Sequence, residues 1–277
     1  MILGGPIFDK HETPDQWVAA VRKAGYRAAY CPLGPEAGDA QVDAYAAAAD
    51  KAGLVIAEVG AWSNPLSPDE ATRRAALDKC KASMALADRI GARCCVNIAG
   101  SRGAKWDGPC ANDLTDETFD RIVETVRGIL DAVRPTRACY TLETMPWMYP
   151  DSADAYLRLI RAIDRKQFAV HFDPVNIISS PQRYFRNAEV IREFVAKLGP
   201  HIKSCHAKDI LLQDRLTVHL DEVRPGCGAL DYRAYLTELA KLDRDVSLML
   251  EHLPDATEYQ AAATHIRQCA AQEGVAL

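Results

Sequence analysis

Short apolar runs alternate with longer segments of helical periodicity from one end of the chain to the other. Strands are expected at about 2–8, 27–31, 54–59, 93–98, 138–143, 168–173, 202–206 and 246–251, each a run of strand length rich in apolar and β-branched residues. The segments between them carry helix signals. Thr13-Pro14-Asp15 supplies a cap and a first-turn proline, and Gly25 ends that helix. Ser67-Pro68-Asp69-Glu70 opens a long helix that stops at Gly91, and Asp151–Asp154 and Asp231-Tyr232 open two more. Eight βα units in this length predict a single (β/α)₈ barrel over residues 1–277, with a parallel eight-stranded core. A doubly wound sheet is the alternative, but it would normally carry a glycine-rich phosphate loop after the first strand. Gly4-Gly5-Pro6 does not have that spacing. The stretch 210–231 is longer than an ordinary βα connection, and Thr217-Val218-His219 within it is expected to add a short strand over the barrel mouth.

Four of the predicted strands end on a residue able to bind a metal: Glu143, Asp173, His206 and Glu251. Side chains alternate along a strand, so Thr141 shares a face with Glu143, His171 with Asp173, Ser204 with His206, and Met249 with Glu251. Each of the four is then the last inward residue of its strand, on the fifth to eighth strands in order. Active sites of such barrels are built at that end. Three carboxylates and one imidazole suit Mn²⁺, Mg²⁺ or Co²⁺, and three close anions would repel one another without a cation. Singly, each has an ordinary explanation: a helix cap for Glu143, a turn before Pro174 for Asp173, a hydrogen-bonded core histidine for His206. What argues against four separate accidents is that they share register and strand end.

Composition narrows the partners. A 48% hydrophobic and 26% charged chain has the balance of a globular protein with a full core. The net charge of −5 gives no support for a nucleic-acid partner, which needs local positive charge. No apolar stretch reaches the length of a membrane span, and Asp9 and Lys10 come too early for a signal segment. The nine cysteines are scattered, odd in number and without a C-x-x-C pair, so reduced thiols in a cytoplasmic protein are expected. Cys94, Cys95, Cys139 and Cys205 should pack as small apolar residues in strands.

At this point the chain resembles a known family, the xylose-isomerase-like TIM barrels, which include sugar epimerases, keto-sugar isomerases, inosose dehydratases and endonuclease IV. The resemblance spans nearly the whole chain. It is carried by Leu142-Glu143, Phe172-Asp173-Pro174-Val175-Asn176, His206-Ala207-Lys208-Asp209, Arg224-Pro225-Gly226-Cys227-Gly228 and Leu250-Glu251-His252. It implies that Glu143, Asp173, His206 and Glu251 hold one divalent ion, Mn²⁺ before Mg²⁺ or Co²⁺, and that Glu143 and Glu251 also serve as acid and base. Many members carry a histidine three residues after the sixth-strand aspartate, where this chain has Asn176. That departure bears on substrate orientation, and Asn176 still offers an amide to a sugar hydroxyl. Endonuclease IV needs three zinc ions and additional histidines, and the region Leu220-Asp221-Glu222-Val223-Arg224 lacks them.

The substrate contacts expected from position are Asn176, His171, Lys208, Trp106 and Glu58, and the resemblance implies Arg224 as a further one. Lys208 extends the inward parity of His206 towards the mouth, and His171 lies one layer deeper than Asp173. Arg224 precedes a Pro-Gly-x-Gly turn. Trp62, Trp106 and Trp147 follow strand ends, where aromatic rings stack on sugars or simply pack. His252 should point away from the site.

The resulting expectation is a divalent-metal-dependent isomerase or epimerase acting on a keto-sugar or related polyol ketone through a cis-enediolate. Two other readings share the residues. One is a lyase of the same superfamily, of inosose or dehydroshikimate dehydratase type or eliminating from a 3-keto-glycoside. The other is a sugar-binding accessory subunit with a structural metal. A small-molecule partner and a homo-oligomer complete the expectation.

Overall fold

The computed structural model describes residues 1–243 and 245–277. Eight parallel strands close a barrel: β1 (Ile2–Gly5), β2 (Ala28–Tyr30), β3 (Val55–Gly60), β4 (Cys94–Asn97), β5 (Cys139–Glu143), β6 (Phe168–Phe172), β7 (Ile202–Ala207) and β10 (Ser247–Leu250), the last pairing back onto β1. The predicted strands are all present, in sequence order around the wall. The ring of helices includes α1 (Pro14–Lys23), α2 (Asp39–Ala52), α3 (Glu70–Ile90), α4 (Asp116–Val133), α5 (Ala153–Ile163), α8 (Asn187–Leu198), α9 (Tyr232–Leu239) and α10 (Ala256–Gln272). Two short helices, α6 (Pro174–Ile177) and α7 (Pro181–Phe185), follow β6. This is a (β/α)₈ barrel. Among the described residues no helix is long and apolar enough to cross a membrane.

The local signals act as expected. Thr13, Asp69, Ser152 and Asp231 cap α1, α3, α5 and α9 by accepting from N–H groups of the first turn. Gly91 ends α3 at φ +77°, a left-handed conformation that costs glycine no Cβ clash. Gly4 is required by space: a Cβ there would lie 2.5 Å from Ala28 O and 2.6 Å from Met249 Sδ, across the narrow barrel floor. Cys94, Cys95 and Cys205 are buried and Cys139 is half-buried in their strands.

The extra structure after β7 differs from the expectation. A hairpin of β8 (Asp209–Leu212) and β9 (Leu220–Val223) rises there, while the 217–219 run forms part of its loop. Pairing begins at Leu212 with Leu220, and Gln213 N donates to His219 O across the loop mouth at 2.9 Å. Asp209, fully buried at the hairpin base, accepts from Ile210 N and Leu230 N through one oxygen and from Gly226 N and Gly228 N through the other. A Cβ on Gly228 would meet Asp209 Oδ1 at 2.4 Å, so the glycines of the Pro-Gly-x-Gly turn allow backbone to close on this carboxylate.

Asp88, late in α3, holds the start of β5 by accepting from the N–H groups of Thr136, Arg137 and Ala138 at 2.8, 2.6 and 3.0 Å. Partial burial raises its pKa, but these donors outweigh burial and hold the carboxyl below the ordinary range. A depressed carboxylate adds stability above its unfolded pKa, and that stability is lost as pH falls through the lower folded value. Asp88→Ala should therefore cost on the order of 2 kcal/mol at neutral pH. In urea titrations the gap between variant and wild type should close below about pH 3–4. A gap that persisted undiminished at low pH would remove charge from the explanation.

Candidate metal centre and active site

Glu143 ends β5, and Asp173 and Glu251 stand one residue beyond β6 and β10. His206 lies within β7. Barrel closure brings one donor atom from each to within 4.8 Å of the others. His206 Nδ1 is 3.0 Å from Glu143 Oε1, 3.0 Å from Glu251 Oε2 and 3.8 Å from Asp173 Oδ2. His206 and Asp173 are fully buried, Glu143 nearly so, and Glu251 opens to the mouth.

Side-chain orientation is set from outside the cluster. Asp173 caps α6, its Oδ1 accepting from Val175 N at 2.9 Å and from Asn176 N at 3.3 Å, which leaves Oδ2 facing inward. The Thr144 hydroxyl donates to Asp173 O and accepts from Asp173 N, locking the ends of β5 and β6 together. Tyr156 of α5 does the same one turn lower, donating to Leu142 O or Ala169 O and accepting from Leu142 N and His171 N. Behind β7, Tyr235 donates to His206 O at 2.9 Å and Tyr232 to Lys208 O at 2.8 Å. The donor groups therefore sit on rigid elements, as a site needing fixed geometry requires.

These residues suit a divalent ion. Asp173 Oδ2 and Glu251 Oε2 are buried yet receive no properly aligned hydrogen bond from any described residue. Oxygen and nitrogen ligands bonded at about 2.1 Å in octahedral geometry stand about 3.0 Å from their neighbours, the spacing His206 Nδ1 keeps to both glutamates. Three hard carboxylates and one imidazole match Mg²⁺ or Mn²⁺ better than a soft-metal site.

Among the protein groups alone, burial opposes every charge here, and the charges hold one another. Burial would lift Glu251, but His206 and Lys208 outweigh it and hold the carboxyl down at about 2. Asp173 is held well below the carboxylate range in the same way, mainly by Lys208 and His206 against burial. The His206 imidazole is raised because Glu251, Glu143 and Glu58 outweigh its desolvation. Lys208, 2% exposed, has its Nζ 2.8 Å from both Asp173 Oδ2 and Glu251 Oε2, an ion-pair approach away from the hydrogen-bond direction.

Above the cluster lies a cavity of about 240 Å³. That is below the roughly 300–1,000 Å³ usual for drug-sized ligands, and suits a small one. Trp62, Trp106 and Trp147 form an aromatic wall, with Trp147 Nε1 donating to Asp107 O at 2.9 Å to join the loops after β4 and β5. Asn176 lines the cavity and donates to Glu143 Oε1 at 3.1 Å.

Three expected contacts lie elsewhere. Glu58 and His171 are 1% and 0% exposed, beneath the cluster and away from the cavity. Their partners explain the placement: His171 Nε2 donates to Glu58 Oε1 at 2.9 Å, Ser204 Oγ donates to the same oxygen, and Glu58 Oε2 lies 3.5 Å from His206 Nε2. Arg224 pairs with Glu258 at 2.8 Å and borders a different surface groove, beside Thr257 and His265. Conversely, Glu222 and His252 line the cavity without having been expected there. His252 adopts φ +56°, which breaks strand parity immediately after β10, and its Nδ1 reaches Glu222 Oε1 at 3.1 Å. Glu222 comes from β9 of the hairpin; the sequence pointed to a strand over the mouth but placed it at 217–219, one step before the strand that carries Glu222.

A closed parallel barrel with a carboxylate-rich cluster at the C-terminal ends of adjacent strands defines the class: a TIM barrel with a candidate divalent-metal centre. Within it, the chain belongs to the xylose isomerase-like TIM barrel family, whose profile matches residues 18–269. A search of curated proteins finds no relative. Similar solved structures include a D-psicose 3-epimerase from Clostridium cellulolyticum H10 bound to D-tagatose. It is 16% identical, with 97% of this chain and 99% of that one covered at a TM-score of 0.69. A xylose isomerase-like TIM barrel protein from Mycobacterium smegmatis in complex with magnesium is also 16% identical, covering 98% and 97% at 0.68. The probable 3-DHS dehydratase AsbF from Bacillus anthracis is 14% identical, covering 96% and 98% at 0.66. At such identities the likeness is one of fold.

Proposed function

We propose that this protein is a metal-dependent isomerase or epimerase that enolises a keto-sugar or related polyol ketone. The observation that carries the reading is the convergence of Glu143 and Glu251, which line one small cavity, with Asp173 and His206 buried beneath it. A divalent ion at that floor, Mn²⁺ by first choice, would polarise a substrate carbonyl and acidify the neighbouring C–H. One glutamate takes that proton and the other returns one, to the opposite face in epimerisation or to the neighbouring carbon in isomerisation. Asn176 and Lys208 present N–H donors to sugar oxygens, and the tryptophans cover an apolar sugar face and keep water out.

The charge of the cavity favours an uncharged substrate. Asp107, Glu143, Glu222 and Glu251 line it against one ammonium, Lys208, which is already engaged by Asp173 and Glu251, and no arginine stands among its described lining residues. A carboxylated substrate of the dehydroshikimate kind would meet repulsion without a bidentate partner, which places that form of the dehydratase reading second.

The test is metal analysis of the purified protein, followed by NMR of neutral ketoses, inososes and a 3-keto-glucoside in D₂O with and without chelator. Chelator-sensitive deuterium incorporation at a carbon next to a carbonyl is the expected result, and the product separates epimerase, isomerase and lyase. Absence of exchange across the panel with the metal-loaded protein would count against enolisation.

A further inference from the structure

Lys208 has no ordinary reason to be where it is. A nearly fully buried lysine normally keeps one carboxylate partner or loses its charge, but this ammonium is placed among four carboxylates. It is 2.8 Å from Asp173 Oδ2, 2.8 Å from Glu251 Oε2, 3.5 Å from Glu222 Oε2 and 3.6 Å from Glu143 Oε1. The first two oxygens are the pair left without aligned hydrogen bonds at the candidate metal site. A divalent ion bonded to both at about 2.1 Å would lie no more than about 5 Å from Nζ (2.1 plus 2.8). Two cations at that distance in a buried site repel strongly.

The backbone gives Lys208 no freedom to withdraw. Its carbonyl is held by Tyr232, and the next residue, Asp209, is fixed by four backbone donors. Any adjustment belongs to the side chain. Glu222 is the one of its four partners outside the quartet. It is brought in by the β8–β9 hairpin and braced by His252. The charges are consistent with such an exchange: with His206 neutral, as a metal ligand must be, the carboxylates of Glu143, Asp173 and Glu251 are balanced by one ammonium and one divalent ion together.

Resting on the metal-site reading above, we propose that Lys208 is a resident cation of this site: it competes with the divalent ion for Asp173 and Glu251, and Glu222 is the partner that holds it when the ion is bound. Lys208 thereby sets metal affinity. It keeps the carboxylate cluster assembled before loading and lowers the affinity for the ion.

The competition makes opposite predictions for two substitutions. Calorimetric titration of the metal-stripped protein with Mn²⁺ should show Lys208→Met, which keeps the apolar stem, binding at least about 10-fold more tightly than wild type. The same variant without metal should melt at a lower temperature than wild type, and Mn²⁺ should raise its melting point by more. Glu222→Gln should instead bind Mn²⁺ several-fold more weakly, and its effect should vanish in a Lys208→Met background. Glu222 lies on the hairpin outside the quartet, so its arm stands even if Lys208→Met folds poorly. Unchanged or weaker Mn²⁺ binding by a folded Lys208→Met, or unchanged binding by Glu222→Gln, overturns the competition while leaving the metal site intact. Failure of wild type and both variants to bind any Mn²⁺ or Mg²⁺ would overturn the metal-site reading itself.

Discussion

Glu251→Gln should abolish deuterium incorporation from D₂O into one epimer of the substrate while leaving the fold intact. The loss should reach at least about 10³-fold, within the range of a general base removed from its proton. Glutamine keeps the size of the side chain and a carbonyl oxygen that can still approach a divalent ion, so the metal should stay bound. Lys208 retains Asp173 and Glu222 as partners, so the metal-loaded variant should stay folded, with a loss of stability on the order of 1 kcal/mol. In the proposed mechanism the two carboxylates serve opposite faces, so Glu143→Gln should remove exchange from the opposite epimer. If both variants bound metal normally and exchanged both epimers at wild-type rates, the acid–base assignment would be wrong.

The second large effect is expected from a residue that does not touch the cavity. Glu58 is buried beneath His206 and receives hydrogen bonds from His171 and Ser204. Burial opposes its ionisation, but the two histidines outweigh it and hold the carboxyl far below its usual range. Glu58→Ala would leave a void facing polar groups that have no water to turn to, at a cost of about 3–5 kcal/mol. Its second oxygen is also the anion nearest His206 Nε2, at 3.5 Å and without an aligned hydrogen bond, a charge contact that favours the ring orientation with Nδ1 towards the cluster. Loss of such a partner typically weakens metal binding by about 10- to 100-fold. Denaturant melts and Mn²⁺ titration of Glu58→Ala and Glu58→Gln measure the two effects separately. A folded Glu58→Gln with wild-type metal affinity would show that His206 is oriented by something else.

Much of the architecture was legible because its signals are local. Strand runs, the caps at Thr13, Asp69, Ser152 and Asp231, and the stop at Gly91 each depend on a few neighbouring residues. The four strand-end donors were legible for a related reason: alternation along each strand assigns a side, and adjacency of consecutive strands assigns neighbours. Neither rule assigns the depth of one strand's residues relative to another's. Glu58 reaches the layer below the cluster through the β2–β3 pairing, where a register shift places Tyr30 opposite Glu58. His171, read as a possible sugar contact, faces that same carboxylate. Arg224 precedes a tight turn in the chain, but the turn folds around Asp209 and directs the guanidinium to Glu258. His252 was misplaced by parity, which no longer applies once φ turns positive.

By itself, then, the sequence determined the eight βα units, the family and the four donors at the C-terminal mouth, since periodicity, caps and strand ends are written in short-range pattern. The tertiary structure decided which polar groups meet across the barrel: Glu58 behind His206, Lys208 among the carboxylates, Glu222 brought over by a hairpin. Those contacts join residues up to 148 positions apart, as between Glu58 and His206, and depend on the tilt and register with which the sheet closes. No local pattern encodes that closure.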